Sequence, residues 1–191
     1  MTVRDFCRKC GSPVIANTEC RDCGEFYYPT RVQCAVALAE YGRPDLCKAF
    51  VREPDLEVFE AHGLWCLLVR TVNLHWSGYV GVASDHPGHG SVCGFGAPEP
   101  LQEVSVHGGL SFGADDLIER YESLQEAELP PVVREGGLWW LGFDCSHGGD
   151  ISPRVVLSDL MYGMSPMGGT YRTVDYAHRE LERLAFQLAA L

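Results

Sequence analysis

Leu138-Trp139-Trp140-Leu141-Gly142-Phe143 is an unbroken apolar run, and Asp144-Cys145-Ser146-His147-Gly148-Gly149-Asp150 follows it directly. Six apolar residues without alternation predict a central strand buried on both faces. Working outward, Leu64-Trp65-Cys66-Leu67-Leu68-Val69 reads as a second strand. Gly78-Tyr79-Val80-Gly81-Val82-Ala83 reads as a third, joined to it as an antiparallel hairpin. Val104-Ser105-Val106-His107 alternates, which predicts Ser105 and His107 on one face.

Two helices are expected. Residues 115–126 carry Leu117, Ile118, Tyr121 and Leu124 at helical spacing, and Pro130-Pro131 closes that segment. Residues 171–190 place Val174, Leu181, Leu184, Ala185 and Leu188 along one stripe, with Thr170 or Thr173 as N-cap. Residues 34–60 read as a connector, in which 46–51 form either a helical turn or a strand. Residues 84–102 and 152–169 are glycine- and proline-rich loops, long enough to suggest function or disorder. The fold expected is α+β, a mostly antiparallel sheet with two helices, preceded by a small metal-binding segment.

Composition sets outer limits. With 191 residues, 46% of them hydrophobic, the chain builds a real core and holds one medium domain with a small appendage. A net charge of −11 argues against a broad phosphate-binding surface, while leaving room for one local basic contact. No apolar run approaches the roughly 20 residues that span a bilayer. Met1-Thr2-Val3-Arg4-Asp5-Phe6-Cys7 contains no apolar leader, so a cytoplasmic location is expected.

The cysteines are unevenly placed. Nine is an odd number, and without a leader it suits thiols and metal ligation better than a disulfide framework. Cys7-Arg8-Lys9-Cys10-Gly11 and Cys20-Arg21-Asp22-Cys23-Gly24 are two C-x-x-C-G knuckles. Four thiolates close a tetrahedral shell, so Cys7, Cys10, Cys20 and Cys23 predict structural rather than catalytic zinc. Zinc ligation at roughly 10–16 kcal/mol would fold a segment too small for a core of its own. Arg4, Arg8, Lys9, Arg21 and Arg31 are nearly balanced by Asp5, Glu19, Asp22 and Glu25. The zinc–thiolate centre adds negative charge, so docking to a protein partner or stabilising the chain is favoured over nucleic-acid binding.

Four polar islands concentrate the remaining chemistry. They are His75-Trp76-Ser77-Gly78-Tyr79, Asp85-His86-Pro87-Gly88-His89-Gly90, Val106-His107-Gly108-Gly109-Leu110, and the segment 142–150. His147 and Asp150, three apart, either share a second, divalent metal or form a base and its orienting partner. His107 heads a loop whose Gly108 and Gly109 amides suit an anion. Cys145 is either a nucleophile activated by a histidine or a small core residue. Asp144 and Asp150 are either catalytic or turn caps. The candidate catalytic set is therefore His107, Asp144, Cys145, His147 and Asp150. His75, Tyr79, His86, Gly108 and Gly109 are candidates for ligand binding.

The cysteine segment resembles the short zinc ribbons attached to many bacterial and archaeal proteins, over about residues 5–31. Tyr27-Tyr28-Pro29 is similar to the ribbon of NADH pyrophosphatases, but no Nudix box follows, which excludes that enzyme family. From about residue 63 onward the chain resembles a family of uncharacterised proteins from actinobacteria and their phages. The shared motifs are Gly78-Tyr79-Val80-Gly81-Val82, His86-Pro87, Val106-His107-Gly108-Gly109-Leu110, the W-W-x-G-F-D-C-x-H-x-G-D block from Trp139 to Asp150, and Tyr171-Arg172. The loop after His86-Pro87 departs from the family pattern, lacking its acidic and aromatic tail.

The organisation expected is a ribbon at 1–33, a connector at 34–60 and an α+β domain at 61–191. Three functions compete. One is a hydrolase-like enzyme on a small polar or phosphorylated ligand. Another is a non-catalytic protein that sequesters a nucleotide-like ligand in phage–host interaction, stacking a base on Trp76, Tyr79, Trp139 or Trp140. The last is a protein-interaction module.

Overall fold

The computed structural model describes residues 4–6, 13–15, 18–19, 21–24, 26–27, 30–94, 97–165 and 168–191. In chain order the elements are β1 (Arg4–Phe6), β2 (Pro13–Ile15), β3 (Thr18–Glu19), β4 (Phe26–Tyr27), α1 (Arg31–Glu40), α2 (Pro44–Phe50), β5 (Leu56–Ala61), β6 (Leu64–Arg70) and β7 (Trp76–Val82). There follow α3 (Glu99–Gln102), β8 (Phe112–Ala114), α4 (Leu117–Arg120), α5 (Glu122–Glu126), α6 (Pro131–Glu135), β9 (Trp139–Asp144), α7 (Pro153–Met161) and α8 (Val174–Leu188). The chain is α+β, and no helix among the described residues is long and apolar enough to cross a membrane.

The chain divides into two compact units. The first comprises Met1–Glu53, Val72–Leu74 and Gly149–Tyr171. Thr30 opens α1 with a reciprocal cap: its hydroxyl accepts from the Gln33 amide at 3.3 Å, and its own amide donates to the Gln33 side chain at 2.8 Å. Cys34 and Leu38 of α1, Leu46 and Phe50 of α2, and Val156 and Leu157 of α7 form the unit's own core with Leu74 and Ile151. Burial pushes the Cys34 thiol up to about 12, offset in part by the charge of Arg154. Two short ladders precede this core. In the first Phe6 faces Pro13, and in the second Glu19 faces Phe26. In the chain, each C-x-x-C segment falls between the two strands of one ladder. Cys7, Cys10 and Cys20 fall outside the described residues, and Cys23 lies in the turn at 21–23.

The second unit comprises Pro54–Thr71, His75–Gly148 and Arg172–Leu191. Its five-stranded sheet is antiparallel throughout, in the order β5-β6-β7-β9-β8. Successive residues of β6 enter opposite cores. Cys66 and Leu68 pack with Val80, Leu141, Phe143 and the buried stripe of α8, whereas Leu67 and Val69 pack with Tyr79, Trp140 and Leu117, Leu124 and Val133 of α4 to α6. A sheet covered on both faces needs apolar residues at every position, which is why β6 and β9 lack alternation. Its edges are guarded: β8 is three residues long, and β5 carries Glu57 and Glu60.

The hairpin and the central strand stand where the sequence predicts them, with Cys66 facing Val80 and Val80 facing Leu141. The expectation of two helices is corrected to eight among the described residues. Several of the additional helices begin on residues that read as breaks: Pro44, Pro131 and Pro153 each open a helix, and Pro100 sits in the first turn of α3. Proline is tolerated there because the first-turn amides have no intrahelical acceptor. The helix expected over 115–126 is two short ones, split at Tyr121 (φ −122°, ψ 116°), whose hydroxyl lies 2.6 Å from that of buried Tyr79. Thr173, not Thr170, caps α8.

Residues 104–107 are not a strand. Side chains of α8 take the backbone groups that a ladder would use. Gln187 accepts from the Ser105 amide at 2.8 Å and donates to its carbonyl at 2.9 Å, and Arg183 donates to the same carbonyl at 2.7 and 3.0 Å. Within the connector, 34–40 belong to α1, 46–50 to α2 and 56–60 to the edge strand β5. The His62-Gly63 turn, with φ of 55° and 78°, joins β5 to β6 in the two-residue form that suits a twisted hairpin.

Candidate functional site

Two segments of the second unit bring the polar residues together. The first leaves β9. Asp144 ends that strand, the Cys145 amide extends the pairing by donating to Trp76 at 2.8 Å, and the Ser146 amide then turns onto the Asp144 carboxylate at 2.9 Å. This side-chain turn carries His147 off the end of the sheet. The second segment is the turn at 106–109, closed by the Gly109 amide on the Val106 carbonyl at 2.9 Å. Its third residue, Gly108, has φ +66°, a conformation that favours glycine.

The rings of His107 and His147 meet edge to face, 5.6 Å between centroids at 73°. One ring nitrogen of each lies within 4.8 Å of the other. Asp144 lies 3.8 Å from Nδ1 of His147 and accepts from the Ser111 hydroxyl at 3.3 Å. His147 and Asp144 are each about one-third exposed, at 36% and 35%. His107 is held by α8: its amide donates to the Glu180 carboxylate at 2.9 Å, and its Nδ1 is 2.9 Å from the Tyr176 hydroxyl. Two imidazoles edge to face, one anchored at Nδ1 by a hydroxyl and the other with a carboxylate 3.8 Å from its Nδ1, suit a divalent metal site or an acid–base pair.

His107, Gly108, Asp144 and His147 therefore share one place in this unit. Asp150 belongs to the first unit, where it bridges to Thr170 and the Ile151 amide donates to the Thr170 carbonyl at 3.0 Å. The other candidates serve the fold. Cys145 is 1% exposed among Trp76 and Phe143, which removes it as a nucleophile for an incoming ligand. Tyr79, buried against Tyr121 and Phe112, has its phenol pushed up by burial. Trp76 and Trp140 are buried core residues with no face for a base, and the Trp139 indole donates to the Ser91 carbonyl at 3.1 Å. His75 is buried, and its carbonyl accepts from the Thr71 amide at 2.9 Å. Gly109 contributes the closing amide of the turn, so that group is not available to an anion.

His86 is a structural histidine. Its Nδ1 accepts from the Gly88 amide at 2.9 Å, so Nε2 carries the proton and donates to the Leu188 carbonyl, 2.8 Å away at the end of α8. His86→Ala should lower stability by about 1–2 kcal/mol, read as a fall in Tm of a few degrees. It should leave ligand or metal binding at His107 and His147 unchanged.

Sequence reasoning missed Tyr176, Glu180 and Ser111. Tyr176 and Glu180 are one helical turn apart beside the buried stripe of α8, but nothing in helical periodicity tells which loop such a face will hold. No protein-family model, characterised protein or solved structure matches the chain.

Proposed function

We propose that His107 and His147 bind a divalent metal and that the chain uses it to hydrolyse a small polar or phosphorylated ligand. The observation that carries this reading is the meeting of two imidazoles from segments forty residues apart, over a glycine that leaves room for one of them. Asp144 stands three residues before His147 in the same unit, 3.8 Å from its Nδ1, and supplies the carboxylate of a two-histidine, one-carboxylate set. Three protein ligands leave coordination positions for water and ligand, and the metal lowers the pKa of that water. With a phosphate ester, the water oxygen would bond to phosphorus, its proton would pass to the Asp144 carboxylate and from there to the alcohol oxygen as the P–O bond to the alcohol breaks.

We also infer that Cys7, Cys10, Cys20 and Cys23 hold a structural zinc. The spacing of the two C-x-x-C-G knuckles, each falling in the chain between two paired strands, supports this. The thiols of Cys34, Cys47, Cys66 and Cys93 suit a reducing, cytoplasmic setting.

Manganese separates the two sites, since thiolates disfavour it and imidazole–carboxylate sets accept it. The zinc-loaded protein should bind one Mn²⁺ by electron paramagnetic resonance and turn over p-nitrophenyl phosphate. His107→Ala and His147→Ala should each lose both properties while melting within a few degrees of the parent. Mn²⁺ binding that survives both substitutions, or no Mn²⁺ binding at all, removes the reading.

A further inference from the structure

The way α8 grips His107 suggests more than packing. Glu180 takes the backbone amide of His107 at 2.9 Å, and Tyr176, one turn earlier, meets its ring at 2.9 Å. The phenol and imidazole planes are perpendicular, 89° apart with centroids at 5.5 Å, so the imidazole edge addresses the hydroxyl. Neither partner is loose. The guanidinium of Arg172 lies 4.7 Å over the Tyr176 ring, and Arg183 holds the other Glu180 oxygen at 3.5 Å. The Tyr176 amide is tied to the Thr173 cap at 3.3 Å, which sets the start of the helix and with it the height of the phenol.

We propose that Tyr176 is a positioning residue that holds the proton of His107 on Nδ1, which presents Nε2 as the metal-ligating nitrogen. The assignment rests on the reading of His107 and His147 as a metal pair. A histidine ligand needs one nitrogen stripped of its proton and the other anchored by an oxygen, and removing such an anchor costs about 10- to 100-fold in metal affinity. Glu180 fixes where the residue sits. Tyr176 fixes how its ring is turned and which nitrogen faces away from the helix.

Two measurements on the full chain test this. Side-chain ¹⁵N correlation spectra of the metal-free protein read the tautomer directly. The parent should show His107 protonated on Nδ1, and Tyr176→Phe, which removes only the hydroxyl, should shift it toward the Nε2–H form. Titration with Mn²⁺ alone should show Tyr176→Phe binding 10- to 100-fold more weakly, with Tm nearly unchanged. An Nε2–H tautomer in the parent overturns the assignment, as does an unchanged tautomer and Mn²⁺ affinity in Tyr176→Phe. If the parent takes up no Mn²⁺, the metal reading of the pair fails, and the positioning role for a metal ligand falls with it. The tautomer spectra then show whether Tyr176 still orients His107.

Discussion

Gly108→Ala is expected to remove the divalent metal while leaving the protein folded. A Cβ at position 108 would stand 2.1 Å from Cε1 of His147, 2.3 Å from Nδ1 and 2.4 Å from Nε2, inside the imidazole ring. The ring must leave. It can, because His147 is about one-third exposed and has solvent to swing into. The fold therefore loses little beyond the cost of placing alanine at φ +66°, about 1–2 kcal/mol. Mn²⁺ affinity should fall at least 100-fold, since one of two imidazoles is no longer beside the other. Gly109→Ala is the control, because position 109 also has a positive φ, +86°, but its Cβ would meet nothing within 4 Å. Both variants carry the backbone strain, and only Gly108→Ala carries the collision. Equal Mn²⁺ affinity in the two would show that the His147 ring is not where the metal is held.

That contrast also marks what could be read from sequence. The strands at 64–69, 78–83 and 138–143 were legible because a sheet covered on both faces writes unbroken apolar runs into the chain. His107, Asp144 and His147 were legible as polar groups beside glycines at strand ends and turns. Their convergence was not, since it depends on α8 capturing residues 105–107 through Arg183, Gln187 and Glu180. Those three side chains look like the solvated face of any amphipathic helix. The short helices were hidden for a related reason. Proline at a first-turn position and proline as a breaker carry the same letter, and neighbouring residues decide between them only weakly. Cys145, beside Asp144 and His147 in the chain, reads from sequence as either a nucleophile or a small core residue. The strand geometry that continues to its amide sends its side chain into the core.

Gly142→Val should have the complementary effect, a large loss of stability with the metal pair intact at temperatures where the protein remains folded. Strands β7 and β9 meet through three glycine–aromatic pairs: Gly78 faces Phe143, Gly142 faces Tyr79, and Gly81 faces Trp140. Each glycine is the space into which the ring opposite lies. A Cβ at 142 would approach Tyr79 Cδ1 to 2.4 Å and the Gly78 carbonyl oxygen to 2.6 Å. Neither can yield. The carbonyl is backbone within the sheet, and Tyr79 is 4% exposed, with Phe112 5.0 Å away and its hydroxyl 2.6 Å from Tyr121. Overpacking a core of this density costs about 3 kcal/mol at the upper end of the usual range. For a chain of this size that is a fall in Tm of roughly 6–12 °C by thermal denaturation. Gly142 lies two residues before Asp144, so a sheet that gave way by changing register would carry His147 with it, and Mn²⁺ affinity measured well below Tm would fall too. Unchanged affinity beside a lowered Tm would mean that the end of β9 is held independently, by Cys145 on Trp76 and by Ser111 on Gly142 and Asp144. The site would then depend on those anchors at the strand's end more than on the packing behind it.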